Sequence, residues 1–257
     1  MRKLTGVKQR GFAIAHSMDA ITASQAAYLG ELFRLGGEAD FVNPGVWAET
    51  LEVSPAAVSR MARRLEKAGL IERRAYHGVR LTSRGRREGV MAVRAHRIAE
   101  AYLVRVLEYG WDEAHETADR LGEIADERLV ARMERQAGYP KRCPHGEPIP
   151  QADGGIDLPD DVPLAEASLG QTGRISRVKV RDAERLRYLG EHGVRPETPF
   201  TVVSKSPFEG PLRLRLPSGD CVLGHELARV IWVEMDPLGA AGVGNAEAQG
   251  NQRESRA

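Results

Sequence analysis

The spacing of apolar positions is helical through the first half of the chain and alternating through the last third, with a stretch rich in Pro, Gly and Asp between the two. Asn43-Pro44 and Ser54-Pro55 each set a capping side chain before a proline at the first helical position. They predict two helices joined by a short connection. In the second helix Val58, Ala62 and Leu65 fall on one face, and Ser59, Arg60, Arg63, Arg64 and Lys67 share the other. After Gly69, the run to Leu81 around a His77-Gly78 turn predicts a small hairpin. Val90, Val93, Ile98, Tyr102 and Val106 then mark an amphipathic helix from about Thr82 to Leu107, and a further helix runs from Asp112, as its cap, to Ala137. Beyond the Pro/Gly-rich segment, "GRISRVKV", "PFTVVSKS", "LRLRLP", "DCVLG" and "RVIWVEM" alternate as short strands, with "RDAERLRYLGEHGV" as a helical insert after the first.

This order of elements is multi-domain: an N-terminal winged helix-turn-helix, an all-α domain suited to dimerisation, and a small C-terminal β-barrel. The expected boundaries are a basic N-terminal arm at 1–20, the winged helix at 21–88, the helical domain at 89–142, a linker at 143–163, the β-domain at 164–236 and a disordered tail at 237–257. A chain of 257 residues has ample length for this division. It contains no uncharged apolar run of about 18 residues, and Met1 to Ala20 has no continuous apolar segment, so a soluble, cytoplasmic protein is expected. Cys143 and Cys221 form no closely spaced pair, which fits a reducing compartment.

Charge sharpens the picture. The chain as a whole carries +1, but residues 1–90 hold 15 Lys and Arg against 9 Asp and Glu, so this third is +6 and the remainder −5. A basic front points to a polyanion and an acidic back to a cation. A helix N-terminus with a fan of arginines suits the major groove of double-stranded DNA, where base edges differ, while wing arginines neutralise phosphates. The expected contacts are Ser54, Ala56, Ala57, Ser59 and Arg60 at the leading end of the recognition helix, and Arg63, Arg64, Arg74 and Arg80 on phosphates. The plainer alternative is a helix face that is merely solvated.

His96 and Glu100 are four apart and therefore neighbours on one helical face, a spacing that suits one cation. His115, Glu116 and Asp119 form a second cluster on the next helix. "HETAD" at this point lacks the second histidine of the metalloprotease HExxH helix, which argues against an enzyme. Cys143 and His145 are two residues of a possible metal site, and a turn that ends the helical domain is the simpler role.

At these residues the chain resembles the diphtheria-toxin-repressor and manganese-transport-regulator family of metal-dependent repressors. The likeness runs through "AAYLGELFRL", "AETLEVSPAAVSRMARRLEKAGLI", "LTSRGRREG", "AHRIAEAYL", "WDEAHETADRL" and "CPHGEPIP", in that order. It implies a homodimer that binds a short inverted repeat under control of Mn2+ or Fe2+, with an SH3-like, FeoA-type domain at the C-terminus. Of the family's two metal sites, one is matched by His96, Glu100 and His115. The other, usually called primary, falls on Ala27, Asp119, Gly122 and Glu123, of which only the carboxylates can ligate. The C-terminal domain of some members adds ligands to the histidine site, and the matching positions are Asp182, an oxygen donor, and Arg185, which cannot ligate. With no thiolate at either set, oxygen and imidazole donors favour Mn2+ or Fe2+. Three outcomes stay open: sensing through the His96 site, a rebuilt second site using Asp119 and Glu123, or a DNA-binding regulator that has lost metal control.

Overall fold

The computed structural model describes residues 21–237. The expected arm at 1–20 and nearly all of the expected tail lie outside them.

Helix α1 (Ala23–Arg34) opens with a capping box, in which the Thr22 hydroxyl accepts from the Gln25 amide and the Gln25 side chain accepts from the Thr22 amide. Helices α2 (Pro44–Thr50) and α3 (Pro55–Lys67) begin where the sequence places them, with Asn43 and Ser54 as caps and a proline at the start of each. Strands β1 (Ile71–Arg74) and β2 (Gly78–Leu81) form the antiparallel wing. Leu29, Leu32, Trp47, Val58, Leu65, Leu70 and Val79 pack one core with Val90 and Val93 of the long helix α4 (Ser83–Val106). A Cβ on Gly85 would lie 1.8 Å from the Leu70 carbonyl oxygen. The first turn of α4 therefore sits directly on the backbone that enters the wing.

The single helix expected from Asp112 to Ala137 is two, α5 (Ala114–Ile124) and α6 (Glu127–Gln136). Asp126 breaks the run by capping α6 through the Leu129 amide, and Asp112 does not cap α5 but pairs with Arg187. Ile98, Ala99, Leu103, Ala114, Ala118 and Met133 form the core of this domain.

The C-terminal domain is a six-stranded antiparallel sheet in the order β3-β8-β4-β5-β6-β7, bent by irregularities in β4 and β5. Its strands are β3 (Val162–Pro163), β4 (Thr172–Val178), β5 (Pro199–Lys205), β6 (Leu212–Leu216), β7 (Gly219–Leu223) and β8 (Ile231–Met235). Helix α7 (Ala183–Glu191) is the predicted insert, and α8 (His225–Val230) precedes the last strand. Trp111, from the α4–α5 connection, is buried in this domain's core.

The stretch expected as a linker packs against the rest of the protein at its start, where residues 143–150 are largely buried. Arg97 of α4 donates to the Pro148 carbonyl and pairs with Glu147, and Arg94 donates to the Pro150 carbonyl. Val178 of β4 donates to the His145 carbonyl. Gly146 takes a φ of +86°, and any Cβ there would meet the Ser176 carbonyl oxygen at 2.1 Å. A turn of this tightness drives residues 143–145 inward, toward α4. No helix is long and apolar enough to cross a membrane among the described residues.

Candidate metal centre and DNA-binding face

The metal centre grows from one buried carboxylate. Glu100 sits on the second half of α4, and a single oxygen, Oε1, lies 3.1 Å from His96 Nε2, 2.9 Å from His115 Nδ1 and 3.3 Å from His145 Nδ1. His96 reaches it along its own helix, His115 from the first turn of α5 and His145 from the folded-back loop. Asp119 joins from the next turn of α5, 2.9 Å from the other ring nitrogen of His96. The thiol of Cys143 is buried 4.0 Å from His145 Nδ1. Ligand-type atoms of His96, Glu100 and His115, and likewise of Glu100, Cys143 and His145, all lie within 4.8 Å of one another.

Burial opposes charge throughout the cluster, and the neighbours decide which way each group goes. Burial favours a protonated Glu100, but the charge of His96 and hydrogen bonds from three imidazoles override it and hold its pKa well below the ordinary carboxylate value. Burial disfavours His96 imidazolium, and the Glu100 charge together with the Asp119 and Glu100 hydrogen bonds raises its pKa regardless. His145 is raised against its burial by Glu100 and the Trp111 carbonyl. His115 is lowered, by burial and the nearby His96 charge. Burial and the Glu100 charge push the Cys143 thiol well above its usual range, so without a cation it is a neutral thiol.

The hydrogen bonds test whether this set fits a metal. His145 Nε2 lies 2.7 Å from the Trp111 carbonyl, an acceptor only, so that nitrogen carries the proton. Nδ1 then faces Glu100 and Cys143, bearing either a second proton or a lone pair. A histidine whose far nitrogen is bound to a backbone carbonyl is oriented as metal-binding histidines are. The residues present therefore suit a divalent cation.

A pH dependence follows. His96 and His145, whose pKa values are raised, must give up protons to offer lone pairs, so affinity for a divalent cation climbs with pH toward a two-proton dependence until those values are passed. Titration calorimetry in two buffers of different ionisation enthalpy should register the released protons; a proton count of zero would contradict the assignment. In the metal-free protein, stabilisation from these two histidines is full below the ordinary value of 6.5 and is lost as pH rises through their raised folded values, while the lowered His115 works in the opposite sense.

Of the expected ligands, His96, Glu100 and His115 converge, and Asp119 joins them rather than standing in a separate set. Asp119 also lines an open cleft whose walls include Ala27 and Gly122. The cleft contains Glu31, Arg34 and Arg181, and Glu31 accepts from both guanidinium groups, tying α1 to the segment before α7. Asp182 is not in the cluster: its carboxylate caps α7 through the Arg185 amide at 2.8 Å. Glu123 lies in α5. Cys143 and His145 lie in a turn, as expected, and that turn also sets a thiol and an imidazole beside Glu100. The "CPH" spelling was the available signal, but Glu100, the third member, stands more than 40 residues earlier.

In the N-terminal domain, Ser54 accepts from the Ala57 amide, and Ala56, Ser59, Arg60, Arg63 and Arg64 are exposed along α3. Among the described residues no ion pair holds Arg60, Arg63 or Arg64. The wing residues Arg74 and Arg80 both pair with Glu72.

Three family models cover this chain in sequence: the N-terminal DNA-binding domain of iron-dependent repressors over residues 20–79, their metal-binding and dimerisation domain over 82–151, and the FeoA domain over 162–235. The chain belongs to the diphtheria toxin repressor family. Its similarity to the iron-dependent repressor IdeR of Mycobacterium leprae is 32% identity over 203 residues, spanning 73% of this chain and 86% of that protein. The diphtheria toxin repressor of Corynebacterium efficiens is 27% identical over 62% of this chain and 73% of its own length. Among solved structures, a manganese-dependent transcriptional repressor in complex with manganese superposes with a TM-score of 0.75 at 34% identity, covering 82% of this chain and 99% of that one. The three-domain architecture of this family member, a DNA-binding domain, a helical dimerisation domain and an SH3-like β-domain, is thereby shown.

Proposed function

We propose that this chain is a homodimeric, cytoplasmic transcriptional repressor whose binding to a short inverted repeat in DNA is controlled by Mn2+ or Fe2+ held at the Glu100 centre. The carrying observation is the convergence of three imidazoles on one buried carboxylate oxygen, one of them locked by a backbone carbonyl in the orientation a ligand needs. His96, Glu100, His115 and Asp119 would hold the cation, with His145 and Cys143 completing the shell from the loop. The bound cation supplies positive charge that replaces protons among these residues. A cation held there would take over the role of the protons that the three imidazoles share with Glu100, and would hold α4, α5 and the loop at one point. Imidazole and carboxylate donors suit both metals, and the thiol adds softness in favour of Fe2+.

Two-fold symmetry of the dimer supports an inverted repeat as the target. Because metal favours the DNA-competent arrangement, DNA tightens metal binding by the same factor. The test is binding of chelator-stripped protein to promoter fragments from its own genome, with and without Mn2+ or Fe2+ at constant ionic strength. Equal affinity in both conditions would leave a DNA-binding regulator disconnected from metal. Arg60→Ala, at the exposed start of α3, is expected to weaken specific binding about 10- to 100-fold with or without metal, while metal affinity measured by calorimetry stays unchanged.

A further inference from the structure

We propose that Phe41 is a positioning residue for DNA binding: its ring holds the guanidinium groups of Arg74 and Arg80 together as a two-pronged phosphate clamp on the wing, with Glu72 occupying the phosphate's place in the free protein. The proposal rests on the DNA-binding reading above. Both guanidinium carbons lie 4.8 Å from the Phe41 ring centroid, within the range of cation–π attraction. The two arginines come from different strands of the wing, and both meet the Glu72 carboxylate, at 3.5 and 2.9 Å.

Backbone geometry fixes the ring's place. Val42 and Val79 exchange hydrogen bonds at 2.8 and 3.0 Å, a single antiparallel bridge that ties the Phe41 segment to the edge of the wing. Gly78 permits this approach, since a Cβ there would come within 2.2 Å of the Val42 carbonyl oxygen. One residue later Asn43 caps α2, so the ring is tied both to the wing and to the helix-turn-helix. The edge of His77 packs on the same ring with centroids 6.2 Å apart, and the tip residue Tyr76 is fully exposed.

An arginine fork of this kind matches a phosphate diester, and the charge-paired carboxylate between its prongs is replaced when one arrives. Held side by side before binding, the two side chains lose less freedom on contact. Phe41 carries no charge and makes no sequence-reading contact, so its effect falls on affinity for any duplex.

The experiment is fluorescence anisotropy of the full chain with a cognate and an unrelated duplex across a salt series, alongside thermal unfolding. Phe41→Leu is expected to weaken both duplexes about 5- to 10-fold and to reduce the slope of log affinity against log salt by about 1 to 2, the share of two phosphate contacts. Phe41→Tyr restores both. Glu72→Gln tightens both duplexes severalfold without changing their ratio. A merely structural role would lower the melting temperature of Phe41→Leu and leave the salt slope of its folded fraction at the wild-type value, which overturns the clamp. Wild-type affinity and slope in Phe41→Leu overturn it as well, while the DNA-binding reading survives. Failure of the wild-type chain to bind any duplex overturns both.

Discussion

Replacing Glu100 by glutamine is expected to lower affinity for Mn2+ or Fe2+ by about 100-fold or more and to abolish the metal dependence of DNA binding. Loss of an outer-shell partner of a metal ligand already costs about 10- to 100-fold in affinity. Glu100 is the carboxylate on which His96, His115 and His145 all converge. The amide keeps the shape but removes the charge that raises His96 and His145, so the pKa of both is expected to fall under the burial that already opposes their charge. Calorimetry on the stripped protein reads the affinity, and proton release measured beside it separates a lost ligand from a misfolded domain. Affinity within about threefold of wild type would remove Glu100 from the centre of the site. The same substitution should leave Arg60-dependent binding to DNA at its metal-free level.

The second large effect is structural. Gly85→Ala is expected to destabilise the N-terminal domain by about 3 kcal/mol or more, at the upper end of the range for overpacked sites. The added methyl carbon would lie 1.8 Å from the Leu70 carbonyl oxygen and 2.8 Å from its carbon. Backbone atoms at the entrance to the wing cannot rotate away as a side chain would. Thr82 of the same turn also donates its hydroxyl to the carbonyls of Gly69 and Leu70, so the two segments are joined as well as close. Thermal unfolding should show the loss directly, with DNA binding falling in parallel. A melting temperature unchanged from wild type would mean that the helix start shifts at no cost.

Local chemistry made the winged helix legible before any coordinates. Asn43, Ser54 and their prolines specify helix starts within a few residues, and a hairpin with His77-Gly78 at its turn is a short-range object. The i, i+4 pair His96 and Glu100 is equally local. What the sequence left obscure are contacts made across distance. The sequence near Cys143 suggests a turn but not that it folds the loop back onto α4, because the close approach is to the Ser176 carbonyl in a strand of another domain. Asp182 shows the reverse error: an oxygen donor by type, it is engaged by the helix it starts. Asp126 was a cap in plain view inside an otherwise continuous helical pattern, and the amphipathic spacing on both sides concealed the break it makes.

Helix α4 runs without interruption from the wing to the metal centre. From Gly85, seated on the wing, to Glu100, at the metal centre, the chain rises by roughly 20 Å of helix. Over that arm a tilt of about 5° at the metal end carries the wing end some 2 Å, more than half of the roughly 3.4 Å step between successive base pairs. In a twofold dimer the displacement counts once on each side. On the proposed reading, such a tilt would change the spacing between the two reading heads, like the jaws of a caliper, by about one base pair, and the presence of a cation would be expressed as a length along the DNA.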